Sequence, residues 1–469
     1  MKRFLCLCAV LFLTLEALAE KPFAVNFGGR IRSQNSFERL IAESLCESEK
    51  CAGLHSDALF ESIRDGSAEE LPVFRVGRAT AAEILHLDPT RRNFFRKDFD
   101  ASRSLLRQYA ERDDAHPLTR EFVRLDAAVS LYDSLRSKTF LEWISVDSLS
   151  LSQTELRQVR AESLYLKTNL PFWAWILSVS AFVLALFSVK NAKFRKPAAM
   201  LELAVSALCV AIFALRAAVE NRLPVTSLFE MLLLLVLGLS LLFSILSLRT
   251  RVRGFLVCGG GISALLLFLM RNAISGDSFG SVSMLLNSPF WLSLHVFTIA
   301  CGFSLLLVSG ITAHVSLVCR SLGKPTKPGV QAVLWKTLYA GFFFSALGIL
   351  FGGFWADVAW GRFWGWDPKE NGALFVMLWI LIVMHLKWGR LVQPKTLDVM
   401  LSMLAMCVVT CLLGVNLLGV GLHSYGYSPG LLVAFFAYLA IDALFIAFFS
   451  LKKGNASQTR NFNDAEVLK

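Results

Sequence analysis

Residues 227–248 read SLFEMLLLLVLGLSLLFSILSL, and residues 249–253 read RTRVR. The first stretch matches the roughly 20 apolar residues that cross the hydrocarbon core of a bilayer. Its one charge, Glu230, falls near its start, and three arginines close it. The same pattern, an apolar run ended by a short polar loop, recurs through the second half of the chain. Nine such runs are predicted, over about 171–189, 198–219, 227–248, 254–270, 290–318, 334–354, 372–386, 397–418 and 430–451. The seventh is the shortest.

Composition agrees with that reading. Of 469 residues, 55% are hydrophobic and the mean hydropathy is +0.55, above the roughly 45–50% apolar content of soluble domains. The 38 Phe and 11 Trp suit lipid-facing helices and membrane interfaces. The net charge of +11 does not point to nucleic acid, because no basic-aromatic surface module accompanies it. In the second half the cations gather between the apolar runs. Lys190, Lys193, Arg195 and Lys196 follow the first, and Arg249, Arg251 and Arg253 the third. Arg320, Lys324 and Lys327 follow the fifth, Lys387, Arg390 and Lys395 the seventh, and Lys452 and Lys453 the ninth. Every odd run then ends on the cytoplasmic side.

The N-terminus gives the same orientation. Lys2 and Arg3 precede an apolar stretch over 4–15, and Ala17-Leu18-Ala19 is a cleavage-type site, which together read as a secretory signal. Residues 20–168 have ordinary soluble composition, with helical patterns over 104–112 and 118–135 and breaks before Pro89 and Pro117. The expected fold is an all-α polytopic membrane protein, with about nine transmembrane helices preceded by a small helical extracytoplasmic domain. The expected organisation is a signal peptide over 1–19, that domain over 20–168, the transmembrane domain over 169–453, and a cytoplasmic tail over 454–469. Cys46 and Cys51 lie in the soluble region, but their spacing is not C-x-x-C, so a structural pair or free thiols is favoured over a redox site. His55, His86 and His116 lack metal-ligand spacing and read as surface histidines.

The chemistry falls on the outer side. The loop after the sixth run carries Trp355, Trp360, Phe363, Trp364 and Trp366, and ends Asp367-Pro368-Lys369-Glu370. Five rings in a dozen residues exceed what an interfacial belt needs and suit a platform for a large flat apolar ligand. Asp367 reads either as a helix N-cap before Pro368, with Glu370 closing a capping box, or as part of the site. His295, at the outer start of the fifth run, and His423, just after the eighth, flank the loop. Neutral imidazole ligates heme iron, and two imidazoles give a six-coordinate centre. His385 and His314 sit toward the cytoplasmic side. An intramembrane His is a functional candidate by default, and that reading is kept for His385, while His314 reads as a hydrogen-bonded structural residue.

Trp360-Gly361-Arg362-Phe363-Trp364-Gly365-Trp366-Asp367-Pro368-Lys369-Glu370 resembles the tryptophan-rich WWD signature of heme-handling proteins, and its ending is similar to that of the CcsA (ResC) family of system II cytochrome c synthesis. The segments 414–419 and 421–426, and Leu223-Pro224-Val225-Thr226-Ser227-Leu228-Phe229-Glu230, resemble the same family, although Asn-Leu-Tyr-Glu-Ser is commoner there. The resemblance covers about residues 200–450. It implies a heme lyase (holocytochrome c synthase) component in the inner, or cytoplasmic, membrane, with the WWD loop outside and the C-terminus inside. By the same resemblance, heme b is both substrate and bound ligand and is exported to an outer site. His295 and His423 hold its iron there, His385 ligates it in transit, and Trp355, Trp360, Trp364, Trp366 and Asp367 belong to the presenting loop. Implied partners are a CcsB/ResB-like membrane subunit needed for activity, apocytochrome c with its CxxCH motif, and thiol-reducing proteins for the apocytochrome.

Two other readings stand beside this one. A WWD protein that only delivers or holds heme fits less well with the Asp-Pro-Lys-Glu ending. A secondary transporter would be expected to show repeats and broken helices. Within the heme reading, a self-contained variant has His314 and His385 hold the transit heme together.

Overall fold

The computed structural model describes residues 24–27, 30–112, 116–146, 150–272, 279, 289–324, 326–415 and 429–452. The signal segment, His423 with the segments around it, and the tail predicted over 454–469 lie outside the described residues. The chain divides into two compact units, one of residues 1–168 with 218–221, the other of 169–217 with 222–469.

The first unit is mainly helical. Its helices are α1 (Gln34–Cys46), α2 (Ser56–Asp65), α3 (Ala79–Ile84), α4 (Arg103–Ala110), α5 (Pro117–Leu135), α6 (Lys138–Ile144) and α7 (Gln153–Thr168). Short strands, not anticipated from sequence, join them. β1 (Ala24–Phe27) pairs antiparallel with β2 (Arg30–Ser33), and on its other edge with Ser145–Val146. Ser33 caps α1 by accepting from Ser36 N. The core packs Phe37, Ile41 and Leu45 of α1 with Phe74, Phe99, Phe122 and Tyr132, all fully buried. Phe74 meets the Phe99 and Tyr132 rings at 5.4 and 5.3 Å. Cys46 and Cys51 form a disulfide. Both are buried, as suits a structural cross-link rather than a redox pair. Glu162 of α7 accepts from Arg30 at 2.7 Å and from Ser33 N at 2.6 Å, pinning α7 to β2.

The second unit is built of α8 (Leu170–Lys190), α9 (Arg195–Glu220), α10 (Leu228–Thr250), α11 (Gly254–Asn272), α12 (Pro289–Ser321), α13 (Pro328–Trp360), α14 (Pro368–Trp388), α15 (Pro394–Val409) and α16 (Pro429–Leu451). A π-helical turn, Thr410–Gly414, prolongs α15. Among the described residues nine helices are long and apolar enough to cross a membrane. The protein is therefore an all-α, multi-pass membrane protein. α14 starts at Pro368, four residues before the predicted start of the seventh run, because Asp367 and Glu370 cap it amid polar residues.

Close approach of α12 and α13 organises the centre of this unit. A Cβ on Gly348 would lie 2.9 Å from the Ile299 backbone. Small residues at such contacts let membrane helices meet backbone to backbone, which replaces the hydrophobic drive that lipid does not supply. At one end of α10, the guanidinium of Arg216 and the carboxylate of Glu230 are wholly buried. Glu230 accepts from Arg216 Nε at 3.1 Å and Nη2 at 2.5 Å. It also takes Thr226 N at 2.7 Å and Ser227 N at 3.0 Å, so one carboxylate closes both the ion pair and the capping box of α10.

Candidate functional site

His295 lies two turns into α12, where the α12–α13 approach carries it against α13. Its Nδ1 sits 2.7 Å from the Gly348 carbonyl. A carbonyl oxygen only accepts, so Nδ1 bears the proton and the lone pair falls on Nε2, the tautomer that binds a metal. A Cβ on Gly352 would come within 2.7 Å of the same Nδ1, so the missing side chain makes room for the imidazole. The Trp355 ring lies 6.2 Å away, tilted by 30°, and Trp360 follows at 5.3 Å from Trp355.

These groups line one cleft with about 850 Å³ of atom-free space, open solvent at its mouth included. His295, Trp355, Trp360, Phe363 and Trp364 form its functional wall, with Lys369 and Glu370 from the first turn of α14. Aliphatic walls come from Val296, Ile299 and Ile349, and Met231 enters from the first turn of α10. The Trp355 Nε1–H is buried without a hydrogen-bond partner, so the cleft offers a donor as well as a lone pair. A flat apolar macrocycle with a central metal and acidic edges matches that donor set: imidazole for the metal, rings for the face, an indole N–H and an ammonium for the carboxylates.

The structure thus brings together His295, Trp355, Trp360 and Trp364. Trp366 does not line this cleft: its backbone is left-handed, φ 57°, its side chain is 69% exposed, and it meets Trp364 edge-on at 6.2 Å. Asp367 does not line it either. Its carboxylate accepts from Lys369 N at 2.9 Å, while Glu370 takes Gly365 N at 2.8 Å and Asp367 N at 3.1 Å. Of its two sequence readings, the capping one is the geometry seen.

His385 sits at the opposite, basic end of α14. Its Nδ1 is 2.7 Å from the Leu381 carbonyl, which leaves Nε2 as the acceptor nitrogen on an exposed face, and its ring lies 6.1 Å from Trp388. Nearby, Lys387 Nζ stacks 3.6 Å over Trp335 and reaches Tyr339 OH at 3.1 Å. His314 has both nitrogens engaged, Nδ1 with Gly310 O at 2.8 Å and Nε2 with Asp442 Oδ1 at 2.8 Å. Tyr438 OH donates to the other oxygen of Asp442 at 3.1 Å. That is the hydrogen-bonded structural histidine expected from sequence, and it does not favour His314 as an iron ligand.

Sequence reasoning missed Met231, Cys411 and Leu412. The last two reach the cleft from the π turn, a feature that marks functional sites in helices. No hydropathy signal announces it.

A polytopic membrane bundle with an aromatic, histidine-bearing cleft at the end away from its basic loops is the class that fold and site define. Residues 225–423 of the chain match the family model of the cytochrome C assembly protein. Its relatives are cytochrome c biogenesis proteins CcsA. That of Chlamydomonas reinhardtii is 33% identical over 144 residues, covering 29% of this chain and 41% of the relative. That of Synechococcus sp. (strain CC9902) is 26% identical over 296 residues, covering 56% of this chain and 97% of the relative. For the first of these, as for the protein of Synechococcus sp. (strain WH7803) with 37% covered, the chain spans about two fifths of the relative's length. A solved chain titled Cytochrome c Heme Lyase CcmF overlaps with a TM-score of 0.47 at 16% identity, over 66% of this chain and 53% of that one.

Proposed function

We propose that this protein of cytochrome c assembly holds heme b in the cleft beside α12 and presents it to apocytochrome c. The observation that carries the reading is the meeting of His295 Nε2, as a lone-pair donor, with the Trp355–Trp360–Trp364 wall in one cleft. His295 is the iron ligand from this wall, and His423 is its partner by family resemblance. The rings cover the macrocycle, and Lys369 with the Trp355 N–H receives its acidic edge. Each cysteine S–H of the CxxCH motif then adds across a vinyl group. A C–S bond forms, the proton goes to the other vinyl carbon, and nothing leaves. The thiols come from the substrate, so the membrane unit needs no cysteine pair of its own, and thiol-reducing proteins keep the apocytochrome competent.

In this reading the WWD loop faces outward across the cytoplasmic membrane. His385 takes heme on the basic side, from which it is exported. A CcsB/ResB-like subunit completes a heme lyase, and the N-terminal domain over 20–168 lies outside with the loop. A protein that only holds or delivers heme would share the cleft but not the transfer.

The test is the heme spectrum of the membrane-purified protein. A six-coordinate bis-histidine Soret band that is lost in the His295→Ala, His423→Ala double variant is the expected result. An unchanged spectrum in that variant refutes the site, and no heme in the parent, alone or co-expressed with the partner subunit, returns the transporter reading.

A further inference from the structure

Away from the cleft, α9 carries a carboxylate in the middle of the bundle. Glu202 is 0% exposed, and neither carboxylate oxygen has a hydrogen-bond partner. It sits seven residues past Arg195, about 10 Å along the axis at ~1.5 Å per residue. Gly260 of α11 faces it: a Cβ there would lie 2.8 Å from Glu202 Oε1 and 2.9 Å from the Phe182 backbone of α8. The carboxyl is therefore clamped among three helices, in space that a missing side chain provides.

Its surroundings are polar but uncharged. One turn on, Ser206 Oγ bonds Ser240 Oγ of α10 at 2.7 Å. Ser244 and Ser247 continue that face of α10 at i+4 and i+7, both buried, with hydroxyls that bond nothing in the protein. The Ser247 carbonyl takes Arg195 Nη1 at 3.1 Å, at the basic end of the helices. Within the four spans of α8–α11 the other titratable groups are the Cys209 and Cys258 thiols and the mutually paired Arg216 and Glu230. The remaining charges of these helices stand at their ends, so among the described residues no cation faces Glu202.

An ionised carboxylate at such a place, unpaired and without donors, is far costlier than the neutral acid. We infer that Glu202 is a proton-binding site of the membrane unit: it holds a proton while α8, α9 and α11 pack as here, and exchanges it with the basic side along the serine face of α10. The proton binds one carboxylate oxygen and leaves as hydronium when the helices part enough to admit water. The site makes the packing of these helices sensitive to proton concentration. Nothing in the heme cleft requires it, and it stands whether or not that cleft binds heme.

Infrared spectroscopy of the full chain in lipid nanodiscs tests this. At pH 7 the parent should show a protonated-carboxyl C=O stretch that shifts in D2O and is absent from Glu202→Gln. Absence of that difference band overturns the proposal, as does its conversion to a carboxylate band on adding sodium at fixed pH, which would assign an alkali cation instead. Should Glu202→Gln fail to fold, the parent labelled with carboxyl-13C glutamate answers the same question. A label-shifted acid band at pH 7 supports the site, and its absence overturns it.

Discussion

Removing the acid of the Arg216–Glu230 pair should unfold the membrane unit locally at the cleft. Both side chains are fully buried, and Glu230 accepts from Arg216 Nε and Nη2, Thr226 N and Ser227 N. Glu230→Leu therefore takes the carboxylate away from a buried guanidinium, which costs about 3–5 kcal/mol when an ion pair is broken from one side. It also removes the carboxylate oxygen that accepts from two backbone N–H groups at the start of α10, each stranded donor adding ~1–3 kcal/mol if it stays buried. Arg216 would keep its contacts with the Phe229 and Phe279 rings, at 4.8 and 4.4 Å, but rings recover only about 0.5–2 kcal/mol of a cation's lost partner. With those N–H groups re-solvated at the helix start, and the ring contacts present in parent and variant alike, the net expectation is a loss of roughly 3–5 kcal/mol. The double variant Arg216→Met, Glu230→Gln removes both charges and keeps a capping side chain, so it should lose only ~1 kcal/mol, with a coupling of about 2–3 kcal/mol in the cycle completed by the Arg216→Met and Glu230→Gln singles.

The assay is unfolding of the purified protein in mixed micelles of rising SDS content, followed by tryptophan fluorescence. Met231, the next residue, lines the cleft, so heme retention should fall with stability in Glu230→Leu and recover in the double variant. A Glu230→Leu protein within about 1 kcal/mol of the parent, set against the roughly 3–5 kcal/mol expected, would refute the reasoning. So would a double variant that loses the sum of the singles, because the pair would then contribute nothing as a pair.

Gly352→Ala should displace His295, since the new Cβ would stand 2.7 Å from its Nδ1. Overpacking of this kind costs about 1–3 kcal/mol, which corresponds to a roughly 5- to 150-fold weaker heme affinity. The same change in a His295→Ala background should cost nothing in a heme titration; an equal loss there would locate the effect elsewhere. In the first unit, burial pushes the Glu38 carboxyl above its usual range, with Asp57 and Glu61 adding to the rise against the Gln34 hydrogen bond. The folded value is raised, so Glu38 favours the folded state below its unfolded pKa and loses that contribution as pH climbs through the folded one. Glu38→Gln should slow amide exchange in α1 relative to the parent at pH 7 and match it at pH 4; faster exchange at pH 7 would reverse the sign.

The nine spans were legible because crossing a bilayer requires a length and a hydropathy that few other structures share. Their ends were less so. α12 and α13 each run 33 residues, past the apolar runs, because polar turns extend a helix without contributing to a hydropathy window. The strands of the first unit are two to four residues long. One of their pairings, between residues 24–25 and 145–146, joins segments far apart in the chain, and no local period encodes it. At the site, the residue types were readable and the register was not. That His295 falls opposite Gly348 and Gly352 follows from how two helices pack. That Trp366 turns away follows from one left-handed backbone angle in a loop whose rings look equivalent on paper.

Two of the helices that deliver residues to the cleft, α10 and α14, start in the same way. α10 opens with Ser227 and Glu230, α14 with Asp367 and Glu370, each a capping box with a glutamate at N3. In both, the glutamate accepts backbone N–H groups of its own helix start. A carboxylate bound to a positive helix end is largely neutralised there. The acids around the cleft therefore serve to fix helix starts, and the cleft's chemistry is left to Lys369, the Trp355 N–H and the His295 lone pair. On the proposed reading, that set suits an acidic ligand that carries its own Lewis acid. Glu370 also takes Gly365 N, so the aromatic loop between Trp360 and Pro368 is tied to the start of α14 before any ligand arrives.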